Sequence, residues 1–190
     1  LNLFEKHKVT ATFFVLGWIA EQSPDLVRDI VKRGHHIGTH SHYHQLAYEQ
    51  TPLEFEADLC MSLESINKAC GVWPTSYRAP GFSIGKTNLW AFDVLVKNGI
   101  TEDCSVFPAR RAHGGLKEFP VDQPCLINSY DGLELLCFPM TTGSFLGTRF
   151  VFSGGGYFRF IPHFLLSNLF EYNDYVMTYF HPRDFDPDQP

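Results

Sequence analysis

The sequence predicts an α/β fold in which parallel strands alternate with helices, arranged as a β/α barrel. Strand-like and helix-like patterns follow one another along most of the chain, which is typical of a parallel sheet with helices outside. Of the 190 residues, 44% are hydrophobic and 19% are charged, which suits one globular domain over residues 1–190. Polar side chains that could belong to an active site also follow several predicted strands. They lie at the carboxyl ends, where the active sites of β/α barrels are found.

The first part of the chain predicts two helices and two strands. The run at 9–17 is continuous, apolar and β-branched, which favours a strand covered on both faces. Ser23 and Pro24 supply a helix cap and a first helical position, and Gly34 ends that helix. The predicted elements are the end of a helix at 1–7, strand 9–17, helix 23–34 and strand 36–39.

The middle of the chain opens with a capping box, Thr-Pro-Leu-Glu at 51–54, which starts a helix. Glycines at 71 and 99 end the two helices of this part. Residues 107–132 combine prolines, paired glycines and scattered charge, so we expect a long excursion with little regular structure. The predicted elements are helix 51–71, strand 73–78, helix 87–98 and strand 100–105.

The last part of the chain predicts a strand that stops at Pro139, a turn-rich stretch, a helix and a final strand that ends on His181. The acidic, proline-containing tail is expected at the surface. The predicted elements are strand 133–138, turns at 143–156, helix 162–170, strand 175–182 and tail 184–190.

Charge, hydropathy and cysteine content restrict the possible partners and the location of the protein. The net charge of −6 argues against nucleic acid as a partner, and no apolar stretch reaches the ~20 residues of a membrane span. The five cysteines form no Cys-x-x-Cys pair, which favours free thiols over disulfides and therefore a reducing, cytoplasmic location. A periplasmic or envelope-associated location stays open.

Histidines are concentrated between Gly38 and His44. His40 and His44 are four residues apart, so one turn would place both on one face, where they could hold one metal ion. The alternative is that they are solvated or core histidines. His42 would point the other way and is read as a bystander. The remaining histidines singled out are read as structural or solvated: His35, His36, His113 and His163.

Two more polar side chains follow predicted strands. Arg78 and His181 each lie at a strand's carboxyl end, as do His40 and His44. These ends converge on one rim of a β/α barrel, which favours a metal site and an active site there. The alternatives are a surface ion pair for Arg78 and a strand-end contact for His181.

Several motifs together resemble the polysaccharide deacetylases, the NodB homology group of carbohydrate esterases. The run at 11–15 is similar to that family's second barrel strand, and His40 to His44 match its His-Ser/Thr-x-x-His motif. Arg78 to Pro80 match its Arg-x-Pro motif, and Asp103 is similar to the acidic position of its fourth motif. The Tyr-Phe-His at 179–181 resembles its Leu-x-His motif.

The resemblance implies a deformed barrel of the NodB type and a divalent ion, zinc in many members, that is held by one Asp and two His. It implies removal of N-acetyl groups from an N-acetylated sugar or polysaccharide. Carried over by position, His40 and His44 bind the metal, His181 is the general acid and Arg78 orients the base. The N–H of Gly81 helps to hold the oxyanion, and Asp103 belongs to the catalytic set.

The chain departs from the family pattern in one important respect. The Asp-Asp motif that supplies the base and the third metal ligand precedes the 11–15 strand in the family, and only Glu5 is acidic before residue 11. We expect this motif upstream of Leu1, together with the N-terminal barrel strand; the alternative is a catalytically inactive protein. Gly81 also replaces the aromatic residue that follows Arg-x-Pro, and Tyr179 replaces leucine.

The sequence therefore predicts N-deacetylation of a sugar or polysaccharide and leaves two alternatives open. The glycines at 154–156 and the His-Pro at 181–182 are most similar to the subgroup associated with exopolysaccharide and O-antigen clusters. Other possibilities are hydrolysis of another C–N amide, of the cyclic ureide type, and a carbohydrate-binding relative without catalysis. Zinc suits the expected ligands, but cobalt, nickel or iron would also fit.

Overall fold

A computed structural model describes residues 1–111, 114–128, 132–145, 147–186 and 188. Its main sheet has six strands in the order β1-β2-β3-β4-β6-β5. All neighbours are parallel except the antiparallel pair β5 and β6. The strands are β1 (Thr12–Val15), β2 (His36–Thr39), β3 (Ser76–Tyr77), β4 (Glu102–Asp103), β5 (Cys125–Asn128), β6 (Glu134–Cys137) and a separate antiparallel pair, β7 (Thr142–Phe145) and β8 (Thr148–Val151).

Helices connect and cover these strands. They are α1 (Asn2–His7), α2 (Gly17–Gln22), α3 (Pro24–Lys32), α4 (Pro52–Cys70), α5 (Trp90–Lys97), α6 (Gly155–Phe160) and α7 (His163–Glu171), with 3₁₀ turns at Ala47–Glu49, Pro80–Phe82 and Pro182–Phe185. No helix in the described part of the chain has both the length and the apolar character needed to cross a bilayer.

The longest helix, α4, begins as the sequence predicts. The hydroxyl of Thr51 accepts a hydrogen bond from the N–H of Glu54 at 3.3 Å, and the Thr51 N–H donates to the Glu54 carboxylate at 2.8 Å. Gly71 ends the helix with a φ of 77°, a conformation that glycine adopts without steric cost. These end contacts fix where α4 lies against the sheet.

Helix α4 packs into two hydrophobic clusters. Phe55, Leu59 and Leu63 pack with Tyr77 and residues of α5, and Ile66 and Ala69 pack with the side chains of β1, β2 and α3. Because both clusters share α4, the helix fixes the positions of β2 and β3 relative to each other. The first turns of α4 can therefore support whatever follows those strands.

Several parts of the chain differ from the prediction. The stretch predicted as turns, 143–156, overlaps β7 and contains β8 and the first residues of α6. Residues 175–182 do not form a strand: Tyr179 pairs only with Gly154 as an isolated bridge, and the Met177 N–H donates to the Thr141 hydroxyl at 2.8 Å. This segment lacks a regular neighbouring strand to bond with along its length. The 107–132 excursion contains β5, which pairs with β6, and α2 begins at Gly17 inside the range predicted as a strand.

The cysteines agree with the prediction of free thiols. All five are unpaired, with Cys104 and Cys137 buried and the others partly exposed.

Candidate metal and active site

The carboxyl ends of four parallel strands lie side by side. Val15 pairs with Thr39, Thr39 with Tyr77, and Tyr77 with Asp103. His40 and Arg78, the residues that immediately follow β2 and β3, therefore emerge next to each other at one edge of the sheet. The structure thus places His40 and Arg78 at the same edge, and their roles stay a prediction.

His40 and His44 lie together, with ring centroids 5.1 Å apart. The Nδ1 of His40 is 2.6 Å from the backbone oxygen of Arg78. A carbonyl oxygen can only accept, so we assign the proton of the neutral ring to Nδ1. Nε2 then carries the lone pair, and a backbone carbonyl on the opposite ring nitrogen is the usual support of a metal-binding histidine.

The electrostatic surroundings keep His40 neutral. Burial lowers its pKa to about 4, against the hydrogen bond to Arg78, and the positive charges of His44, Arg78 and His181 lower it further. Metal ligation requires the neutral ring. His40 is therefore in its ligating form at neutral pH without having to lose a proton.

The loop that carries the two histidines has an unusual backbone. Ser41 has a φ of 69° and His44 a φ of 62°, in the left-handed region that non-glycine residues rarely occupy. The His44 N–H donates to the Ser41 hydroxyl at 2.9 Å. Such a conformation persists only where neighbouring groups hold it.

Asp58 of α4 provides that support. Its buried carboxylate accepts from the His42 N–H at 2.7 Å and from the Tyr43 N–H at 3.1 Å. Four residues on, the Ser62 hydroxyl donates to the Ser41 carbonyl at 3.0 Å. The sequence analysis missed both residues. The available signal was the set of polar residues that interrupt the apolar buried face of α4: Asp58, Ser62 and Ser65.

Helix α2 supports the same loop from the other side. The Gly17 N–H donates to the Ser41 carbonyl at 3.0 Å, and the Trp18 N–H to the His42 carbonyl at 3.3 Å. A Cβ on Gly17 would lie 2.4 Å from Nδ1 of His42, so the approach requires glycine. His42 is buried there, which agrees with its reading as a bystander of the His40 and His44 pair.

Arg78 is held as an isolated cation. Its guanidinium lies over the Phe14 ring at 4.5 Å, its Nε donates to the Cys104 carbonyl at 3.1 Å, and Nη2 lies 3.3 Å from the Met177 sulfur. Burial lowers its pKa, but an arginine stays charged. It forms no ion pair with a carboxylate among the described residues, so the surface ion-pair alternative is not what the structure contains.

Asp103 lies beneath this edge with no exposed surface. Its carboxylate accepts from the Ser105 N–H at 2.9 Å and from the Ser105 hydroxyl at 2.6 Å, and that hydroxyl accepts from the Ala79 N–H at 2.8 Å. Asp103 thus braces the Arg78–Pro80 segment through Ser105. Its catalytic assignment stays a prediction, and its position suits support of Arg78 rather than contact with a substrate.

Burial raises the pKa of Asp103 to about 6, against the hydrogen bonds from Ser105 and the charge of Arg78. Because the folded protein then binds a proton that the unfolded chain releases near pH 4, this group makes stability fall as the pH rises from about 4 to 6. We expect Asp103→Asn, which stays neutral, to lose this dependence.

The measurement is urea unfolding of both proteins between pH 4 and pH 7. The free energy of unfolding of Asp103→Asn minus that of the wild type should increase by roughly 1–3 kcal/mol across this range. A constant difference would show that the Asp103 carboxyl is already ionised at pH 4.

Gly81 forms an exposed turn directly after the Arg-x-Pro segment. Gly81 and Phe82 have consecutive left-handed φ values of 61° and 53°. The Ser83 N–H donates to the Pro80 carbonyl at 3.1 Å, and the Phe82 N–H to the Ala79 carbonyl at 3.0 Å. The turn is ordered by its own hydrogen bonds, and its role as an oxyanion donor stays a prediction.

His181 lies at the same edge. The Tyr179 ring centroid is 5.0 Å from that of Phe82, in the turn after Arg-x-Pro, and 6.1 Å from that of His181. The His181 side chain is 51% exposed, with Nδ1 3.6 Å from the Asp184 carboxylate. Arg159 donates to the same carboxylate at 2.7 Å. The sequence analysis missed Asp184, although the His-Pro-x-Asp spacing of a helix cap was visible.

The donor set fits a divalent ion in part. His40 Nε2 and the His44 ring suit two positions of a tetrahedral site. The described residues contain no group of three or more His, Cys, Asp or Glu side chains placed to bind a metal. The site in these residues is thus a two-histidine half-site.

The polysaccharide deacetylase family model matches residues 1–101, which is more than half of the chain. This chain belongs to the polysaccharide deacetylase family. A second model, a domain of unknown function named DUF3473, matches residues 104–190. The boundary falls at β4, which lies between the two matched ranges and pairs with β6 of the second range.

Several deacetylases are similar to this chain. The peptidoglycan-N-acetylglucosamine deacetylase PgdA of Listeria monocytogenes is 33% identical over 86 residues, 45% of this chain and 18% of that protein. The chitooligosaccharide deacetylase of a Bradyrhizobium species is 31% identical over 96 residues, 50% of this chain and 41% of that protein. The chain spans less than half the length of each of these relatives.

Solved structures establish the fold. A structure from Mycobacterium smegmatis assigned to the polysaccharide deacetylases has a TM-score of 0.63 at 24% identity, over 74% of this chain and 43% of that chain. Puue allantoinase has a TM-score of 0.57 at 20% identity, over 74% of this chain and 41% of that chain. The α/β fold with a parallel sheet of the deformed NodB barrel is confirmed.

Proposed function

We propose that this family member is a metal-dependent hydrolase that removes N-acetyl groups from an N-acetylated sugar or polysaccharide. The observation that carries the proposal is His40, whose Nδ1 is bonded to a carbonyl while Nε2 is free to ligate beside His44. The two relatives named above are deacetylases of N-acetylglucosamine-containing peptidoglycan and of chitooligosaccharides by their names. Zinc is the proposed ion, and the exopolysaccharide or O-antigen pathway and the cytoplasmic location stay predictions.

His40 and His44 would hold the ion, which when bound lowers the pKa of a water molecule and polarises an acyl oxygen. The residues of this chain supply several of the other requirements of amide hydrolysis, although none of them is assigned as the carboxylate base. The buried guanidinium of Arg78 has five N–H donors, of which Cys104 and Met177 engage two, so it can orient a carboxylate base. The exposed turn at Gly81 offers a backbone N–H to the acyl oxygen.

His181 would deliver the proton that the departing amine needs. Its ring is half-exposed, so a substrate can reach it, and its Nδ1 lies 3.6 Å from the Asp184 carboxylate. The backbone N–H of His181 donates to the same carboxylate at 2.8 Å, which fixes the His181 backbone beside Asp184.

Replacing His181 with alanine is expected to lower kcat for acetate release from N-acetylglucosamine oligomers by about 10²–10⁴-fold, the usual contribution of a general acid. Metal content should not change, because His181 is not a proposed ligand. The matched control is His163→Ala on α7, an exposed histidine that should leave activity at the wild-type level. Full activity of His181→Ala would remove this residue from the mechanism.

The same experiment separates the alternatives. A hydrolase of cyclic ureides would consume allantoin and release no acetate from N-acetylated sugars. A binding protein without catalysis would retain the oligomers and hydrolyse neither substrate.

A further inference from the structure

Arg111 lies in the segment that matches the DUF3473 family model. Its side chain contacts the turn that follows the Arg-x-Pro motif. Its Nη1 donates to the Gly81 carbonyl at 2.9 Å. Its guanidinium also lies over two rings, 4.8 Å from the centroid of Phe107 and 5.2 Å from that of Phe82. A planar guanidinium can make the hydrogen bond and both ring contacts at once, which a lysine ammonium cannot.

A second hydrogen bond from the same segment is accepted by the carbonyl of Phe82, the residue after Gly81. The Gly115 N–H donates to the Phe82 carbonyl at 2.9 Å. A Cβ on Gly114 would lie 2.5 Å from that oxygen. The backbone can therefore approach this closely only because residue 114 is glycine. Both carbonyls of the left-handed pair, those of Gly81 and Phe82, thus accept hydrogen bonds from Arg111 and Gly115.

These contacts matter because the turn's own two hydrogen bonds end on the carbonyls of Ala79 and Pro80 and leave those of Gly81 and Phe82 to other donors. Glycine has wide backbone freedom, and Phe82 is a bulky residue in a left-handed conformation that such residues rarely adopt. Gly81 is exposed, so it is not held in place by burial in the protein interior. The contact from Arg111 adds to the Phe82 N–H bond in fixing the plane of the Gly81–Phe82 peptide, and through it the backbone of Gly81 and the direction of the Gly81 N–H.

The Phe82 ring connects the turn to the rest of the site. It packs against Phe107 and Tyr179 at centroid distances of 5.3 and 5.0 Å, and the Arg78 guanidinium is 5.7 Å from its centroid. A shift of Phe82 would therefore be transmitted to Arg78 and to the segment that carries His181.

We propose that Arg111 is a positioning residue of the deacetylase site, which holds the Gly81 turn so that its N–H faces the acyl oxygen as negative charge develops there. The inference rests on the proposed function. It also gives the DUF3473 segment a task, since that segment fixes the geometry of a turn that belongs to the deacetylase segment.

The test compares Arg111→Met with the control Arg110→Met in the full chain. Arg110 is exposed and makes no hydrogen bond or ion pair with the described residues. Because an oxyanion donor acts in the transition state, Arg111→Met should lower kcat about tenfold and change KM less than about twofold. Millimolar ethylguanidinium should restore kcat of Arg111→Met and not alter the control.

A wild-type kcat for Arg111→Met would overturn the proposal. So would a loss of kcat that ethylguanidinium does not restore and that follows a matching loss of Tm, because that is the result of a merely structural role. Amide hydrogen exchange at 81–83 gives a readout without substrate: we expect about tenfold faster exchange in Arg111→Met. If the wild type releases no acetate, the proposed function fails, and unchanged exchange would separately refute the positioning role.

Discussion

Replacing His40 with asparagine is expected to abolish metal binding and acetate release while the fold is retained. The asparagine Nδ2 can take the place of the histidine Nδ1 and donate to the Arg78 carbonyl, which now receives a 2.6 Å hydrogen bond. It has no atom in the place of Nε2. The substitution therefore removes the ligand and keeps the contact that orients it.

The matched variant is His40→Gln, whose amide reaches the place of Nε2 but leaves the Arg78 carbonyl without its donor. We expect zinc affinity to fall at least about 100-fold in both variants, since a two-histidine half-site loses half of its ligands. The Tm should fall more in His40→Gln, because a buried carbonyl then lacks a partner. The measurements are zinc titration, acetate release and thermal unfolding.

Unchanged zinc affinity in His40→Asn would refute the metal site. In that case His40 would be a structural histidine whose only role is the hydrogen bond to Arg78.

Replacing Asp58 with alanine is expected to destabilise the protein by about 2–5 kcal/mol. The change leaves the N–H groups of His42 and Tyr43 without an acceptor in a buried place, and each unsatisfied donor costs roughly 1–3 kcal/mol. The same N–H groups hold the left-handed conformation at Ser41 and His44. Zinc affinity should therefore also fall, about 10-fold or more, although Asp58 touches no metal.

The control for Asp58 is Glu64→Ala, an exposed acidic residue on the same helix that should change stability by less than about 0.5 kcal/mol. Urea unfolding gives the free energies, and zinc titration gives the affinity. A loss below about 1 kcal/mol for Asp58→Ala would mean that the loop finds other acceptors and that the carboxylate does not determine its shape.

Local patterns were sufficient to predict the elements that have strong end signals. The capping box at Thr51 and the glycine at 71 located α4, because both depend only on residues adjacent in sequence. Strands β5, β7 and β8 and helices α2 and α6 were not predicted. Strand β5 forms because β6 offers it an edge, and α2 begins where Gly17 fits under His42; both are tertiary conditions.

The site divides in the same way. The spacing of His40 and His44 and the order of the motifs predicted which residues meet, because parallel strands present their carboxyl ends on one side. The sequence did not reveal Asp58, Ser62, Asp184 or Arg111, whose partners are 3 to 30 residues away.

By itself, then, the sequence determined the family, the alternation of strands and helices, and the two histidines that follow β2. Only the tertiary structure decided which ring nitrogen of His40 is free, how Asp103 is buried and what holds the Gly81 turn. The reason is physical: helix caps and side-chain types depend on neighbouring residues, whereas hydrogen-bond partners and burial depend on groups that meet only when the chain folds.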